Sequence, residues 1–134
     1  MLALLTIVFI PVLAAAAAEA PEAAAAKAAG TWVALVDSGD YAESWNKAGA
    51  DFKKAVTVEK WTEAAKAARA PLGKLESRKL DSTQTIQDPP GAPAGEYVLC
   101  QFQANFANKS GAVETIVMFL ESDKQWRTSG YFIK

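Results

Sequence analysis

The hydrophobic period of this chain changes at Gly73, from a spacing near four to a spacing of two. Before Gly73 the apolar residues recur as they do along one side of a helix. After it they alternate as on half-buried strands. A chain that spends its first half on helices and its second on consecutive strands must lay the helices on one face of an antiparallel sheet. The expected fold is α+β, with three N-terminal helices packed on a curved, mainly four-stranded antiparallel sheet.

The helical half divides at its punctuation. Ala28, Trp32, Leu35 and Val36 mark the apolar face of a first helix, and Gly39 suits the position just past its end. Asp40 and Glu43 have the spacing of a capping box, followed by a short helix with Tyr41 and Trp45 on one side. Thr57 is the expected cap of a third helix running to about Arg69, with Val58, Trp61, Ala64, Ala65 and Ala68 as its stripe. Pro71 and Gly73 stop it. Beyond Gly73, residues 74–87 are polar and alternating, as in an edge strand. Residues 88–95 (DPPGAPAG) form a loop that cannot join a ladder. Residues 96–107 form a strand with Val98, Cys100, Phe102, Ala104 and Phe106 on one face. Residues 108–111 turn the chain into a strand over 112–120, apolar on both faces apart from Glu114 and Thr115. The last strand spans 125–133, and strict alternation puts Trp126, Thr128, Gly130 and Phe132 on one face.

The first residues read as an address. Leu2 to Leu13 is an uncharged apolar run, followed by Ala14 to Ala18 and then Glu19. A run of this length ending in small residues has the form of a secretory signal peptide. It is short for a bilayer span. No Lys or Arg precedes it, which leaves an N-terminal membrane anchor as the other reading. The expected organisation is a signal peptide over 1–18, cleaved near Ala18, and a single domain over 19–134 that is periplasmic or secreted, with no membrane span after cleavage.

Composition removes several chemistries. The chain has no histidine, so the commonest general base and transition-metal ligand are missing. Cys100 is its one cysteine, so no intramolecular disulfide forms, and on an apolar strand its thiol is expected to be buried and inert. With a formal net charge of −1 and no basic run, nothing draws in nucleic acid. No phosphate-binding loop is present, and no calcium-loop spacing relates Asp37, Asp40 and Glu43. No metal and no cofactor are expected. A lone carboxylate, Asp37 or Glu114, is the base left to an enzyme, if burial raises its pKa.

Four residues are candidates for a ligand contact or an ion pair: Arg69, Arg78, Glu114 and Tyr131. Arg69 stands at a helix end, where it suits the exposed carbonyls and the negative end of the dipole. Glu114 stands in an apolar strand, where a carboxylate needs a partner, and a strand arginine such as Arg78 supplies one. The alternative is that one of these charges faces a pocket and orients a ligand. Trp45, Trp61 and Trp126 are candidate pocket aromatics, with the hydrophobic core as their other destination.

The segment from Trp32 to Trp45 (WVALVDSGDYAESW) resembles the opening of a small exported bacterial family, domain of unknown function 4019. So do Trp61, the segment 69–73 (RAPLG), Arg78, the segment 95–97 (GEY), Phe102, Phe106, Glu114 and the ending 126–133 (WRTSGYFI). The resemblance implies export and a layout similar to the cystatin-like and nuclear-transport-factor-2-like folds. It implies no activity. The expected role is a non-enzymatic domain binding a small molecule or a periplasmic protein. The alternatives are an enzyme with carboxylate-only acid/base chemistry and a structural accessory protein. Large apolar groups on both faces of the last two strands also point to an open sheet face, closed by a second copy as a homodimer.

Overall fold

The computed structural model describes residues 19–134, and the expected signal peptide, residues 1–18, lies outside them. Helices α1 (Pro21–Asp37), α2 (Tyr41–Lys47), α3 (Ala50–Ala55) and α4 (Val58–Arg69) come first, and a 3-10 turn over Ala70–Leu72 closes the helical half. Strands β1 (Leu75–Gln87), β2 (Glu96–Phe106), β3 (Lys109–Leu120) and β4 (Trp126–Ile133) follow. They pair antiparallel in sequence order, so β1 and β4 are the edges. The fold is α+β, with N-terminal helices on a four-stranded antiparallel sheet. No helix among the described residues is long and apolar enough to cross a membrane.

Pro21 opens α1 at a position where its missing N–H is not needed. The helix buries Ala25, Ala29, Trp32, Val33 and Val36, and the two alanines let it lie close to the sheet. The buried face is rotated from the expected one, leaving Ala28 and Leu35 half-buried on its flank. Gly39 ends the helix at φ +79°, and the Asp40 N–H donates to the Leu35 carbonyl.

Two local expectations need correction. The capping box does not form: Asp40 has ψ +59°, outside the extended range of a cap, and its carboxylate accepts from the Ser38 hydroxyl instead. The helices number four, not three, because the chain breaks between α2 and α3. There the Gly49 N–H donates to the Thr128 carbonyl of β4 at 2.8 Å. The Ala50 N–H donates to the Glu121 carboxylate at 3.0 Å, which caps α3 with a residue 71 positions later in the chain. Thr57 caps α4 by accepting from the Lys60 N–H.

The inner sheet face carries Val98, Cys100, Phe102, Ile116 and Met118 against the helices. At the end of the sheet nearest β1's start, Ala104, Phe106 and Ala112 form a smaller cluster with Leu72, Leu75 and Ile133. Strict alternation fails in β4. Thr128 pairs with Met118 and Gly130 with Val117, its neighbour, so Ser129 is an extra residue in a bulge. Thr128 is therefore buried and Tyr131 faces the helices, while Phe132 points outward at 64% exposure. Trp126 and Phe132 do not share a face.

The outer face is partly covered. The loop over 88–95 packs on it: the Tyr97 hydroxyl donates to the Pro93 carbonyl, and Tyr97 stacks on Phe119 at 4.6 Å. Beyond the loop, Leu99, Val113, Val117 and Phe132 line a shallow depression of about 310 Å³.

Candidate functional site

Four elements bring charge to one interior point. Asp37 comes from the end of α1, Arg69 from the end of α4, Arg78 from β1 and Glu114 from β3. Arg78 lies between the carboxylates: its Nη1 and Nη2 grip Asp37 at 2.6 and 2.8 Å, and its Nε donates to Glu114 at 2.7 Å. This fork geometry suits arginine and not lysine. Arg69 Nη2 donates to Asp37 at 2.7 Å. The Tyr131 hydroxyl, from β4, donates to the other oxygen of Glu114. All four candidate charge and ion-pair residues thus meet, and Asp37 joins them.

Arg69 differs from its expected part as a helix cap. It is buried and bound to a carboxylate, and its guanidinium lies over the Phe106 ring at 4.8 Å. Its Nε and Nη1 have no hydrogen-bond partner among the described residues.

The electrostatics favour a fixed network over a reactive one. Burial alone would raise the Asp37 pKa, but the hydrogen bonds from Arg78 and Arg69 outweigh it and hold the carboxyl below its usual range. Burial, and next the Glu114 charge, push the Tyr131 phenol up, so it stays protonated and donates. Glu114 is fully buried and accepts from two donors, which leaves it no access to a substrate proton. Cys100 is buried among apolar atoms, which pushes its thiol up to about 11. At neutral pH it is neither nucleophile nor ligand.

Next to this network lies an aromatic layer. Trp32 and Trp61 approach at 5.8 Å, with Phe52 and Tyr131 edge-on to Trp61. Ser44 organises it: its carbonyl accepts from the Trp32 indole N–H and its hydroxyl from that of Trp61, each at 2.8 Å. Trp45 donates its indole N–H to the Val56 carbonyl. Trp61 belongs to the core and Trp45 packs at its edge.

Trp126 has a different position. It is half-buried and lines a groove of about 630 Å³ between α1, α2 and the start of β4. Ala24, Ala28, Trp32 and Leu35 form the α1 wall, and Met118 and Trp126 come from the sheet. Glu19, Lys27, Glu43, Lys47, Lys124 and Arg127 stand around it. The size and apolar lining are those of a small-molecule site.

Residues 28–131 match the family described as protein of unknown function (DUF4019). The chain belongs to this family. The matched span of this DUF4019 member holds the whole charge network and nearly all of β4, and it begins within α1. In three dimensions the DUF4019 domain is similar to ActVI-ORFA from Streptomyces coelicolor, with 12% sequence identity and a TM-score of 0.48, over 81% of this chain and 91% of that chain. No curated protein matches it in sequence.

Sequence reasoning left three parts of the DUF4019 domain's sites unassigned. Asp37 shows no partner in the sequence, because a carboxylate at a helix end carries no demand for one. Ser44 carries no signal on a polar helix. The groove joins α1 to a turn about a hundred residues later, a distance no local pattern spans.

Proposed function

We propose that this DUF4019 member is an exported, periplasmic domain that binds a small molecule in the groove between α1, α2 and β4. One observation carries the reading: an apolar groove of about 630 Å³ with Trp126 on its wall. The groove is backed by the core through Trp32 and Met118. Against catalysis, the buried carboxylates are already fully engaged by Arg69, Arg78 and Tyr131. Support for export comes from the apolar run Leu2 to Leu13 and the small residues after it.

Mass spectrometry on protein purified from its native compartment tests both halves. The expected result is a chain cleaved between about Ala16 and Ala20, carrying a small molecule that Trp126→Asp releases. A chain that retains Leu2 to Leu13 overturns the export half. A ligand retained equally by Trp126→Asp overturns the groove.

The partner in this reading is a second copy, seated on the outer strip formed by Leu99, Val113, Val117 and Phe132. These four residues are the apolar part of a depression that Thr115, Ile133 and Lys134 complete, so two copies related by a two-fold axis would bury apolar groups against each other there.

A further inference from the structure

The charges at the groove cancel. Glu43 pairs with Lys47 at 3.9 Å. Glu121 and Asp123 hold Arg127, each at 2.8 Å, and Lys124 next to them in the chain brings that group to zero. Lys27 and Glu19 complete the rim with one charge of each sign. Such a rim has no surplus charge with which to neutralise an ionic ligand. Inside the groove, several polar groups are already spent within the chain. The Thr31 hydroxyl donates to the Lys27 carbonyl, the Thr128 hydroxyl to the Met118 sulfur and the Trp32 indole N–H to the Ser44 carbonyl. Trp126 is the exception. Of the four tryptophans, Trp32, Trp45 and Trp61 donate their indole N–H groups to Ser44 or Val56. Trp126 is half-buried in the groove wall, and its indole N–H has no partner among the described residues.

An apolar channel with a neutral rim and one unspent neutral donor selects a ligand of matching kind. Ala24, Ala28, Thr31 and Leu35 follow one another along one side of α1 for roughly 16 Å, at about 1.5 Å per residue. We infer that the groove takes an elongated, uncharged molecule, apolar along α1, with one oxygen acceptor (a hydroxyl, ester or ketone) at the Trp126 indole N–H. This inference rests on the groove being the binding site, and it adds the ligand's charge state and its polar end. A charged end would lose water here with no opposing charge to replace it. An oxygen acceptor exchanges its water for the indole N–H.

The test is calorimetry with decanol, decanoate and decyltrimethylammonium, which share one chain and differ in the charge of its end. Decanol should bind tightest, with each ionic probe at least about tenfold weaker, since neither charged end finds an opposing charge as it sheds water. Added salt should leave that order unchanged, because the rim has no net charge to screen. The acceptor end is read separately, by the indole N–H resonances in NMR. Decanol should move one of them more than the others, and that resonance should be the one missing from Trp126→Phe. This variant keeps an aromatic wall and should weaken decanol about three- to tenfold, the share of one hydrogen bond. If decanoate or decyltrimethylammonium binds as tightly as decanol, the uncharged ligand is ruled out and the groove stands. If decanol binds without moving the Trp126 resonance, the placement of its oxygen is overturned. If none of the three binds, the groove reading fails together with the inference.

Discussion

At Ser44 one fully buried residue satisfies the indole N–H groups of two tryptophans, one through its carbonyl and one through its hydroxyl. Ser44→Ala keeps the carbonyl and strands the Trp61 N–H, so a denaturant melt should show a loss of about 1–3 kcal/mol, the cost of an unsatisfied buried donor. The two arginines should respond unequally. Arg78→Met leaves Asp37 and Glu114 without their shared cation, and about 3–5 kcal/mol is expected, as for any broken buried pair. Arg69→Met should cost clearly less, since two of its three nitrogens have no partner among the described residues and methionine can keep the packing on Phe106. Equal losses would contradict this ordering. Asp37 also sets an acid limit. Its carboxyl is held lower in the folded chain than in the unfolded one, so as pH falls the unfolded chain takes up this proton first. The stability it contributes is complete above about pH 5 and disappears as pH drops through about 4 and below. Asp37→Asn should lower stability at pH 7 and flatten that acid limb in melts across pH 2.5–7, values chosen to bracket the ordinary aspartate pKa of about 3.9.

Elements show where local sequence suffices and where it does not. The four strands and the long helices α1 and α4 follow from period, and Thr57 acts as the cap its position suggests. The Arg78–Glu114 pair was legible because a carboxylate in an apolar strand demands a cation. The separation of α3 from α2 was not legible, because the groups that impose it, the Thr128 carbonyl and the Glu121 carboxylate, arrive from the other end of the chain. The turn before β2 has its own constraint. Gly95 takes φ +143°, and a Cβ there would lie 2.6 Å from the Phe119 ring. Gly95→Ala therefore meets both a steric and a backbone penalty, and a loss of about 1–3 kcal/mol from overpacking is the lower bound. Melting should follow that loss, and fluorescence of Tyr97, stacked on the same ring, should report the displaced loop.

On the scale of the whole molecule, the two sheet faces have different tasks. The inner face is used up by helices and by the charge network. The outer face is sealed at one end by the loop over 88–95 and left apolar at the other, around Phe132. Light scattering on the protein at micromolar concentration should give twice the monomer mass. Phe132→Gln should return it to the monomer with little change in thermal stability, because a side chain 64% exposed contributes little within one copy. A monomer mass for the wild-type chain would remove the second copy from the proposal.

The extra residue in β4 gives the sheet slack in length. Ser129 has no partner of its own on β3, and the residues on either side of it, Thr128 and Gly130, already face neighbouring positions there. A chain shortened by this one residue would keep Thr128 and Tyr131 inward and Phe132 outward, with a straighter strand as the main result. The same shortening between Glu114 and Met118 would exchange inward for outward along the strand and take Glu114 out of reach of Arg78 and Tyr131. Near the end of this chain, tolerance to a missing residue is therefore concentrated at one address, next to the tyrosine that the buried carboxylate depends on.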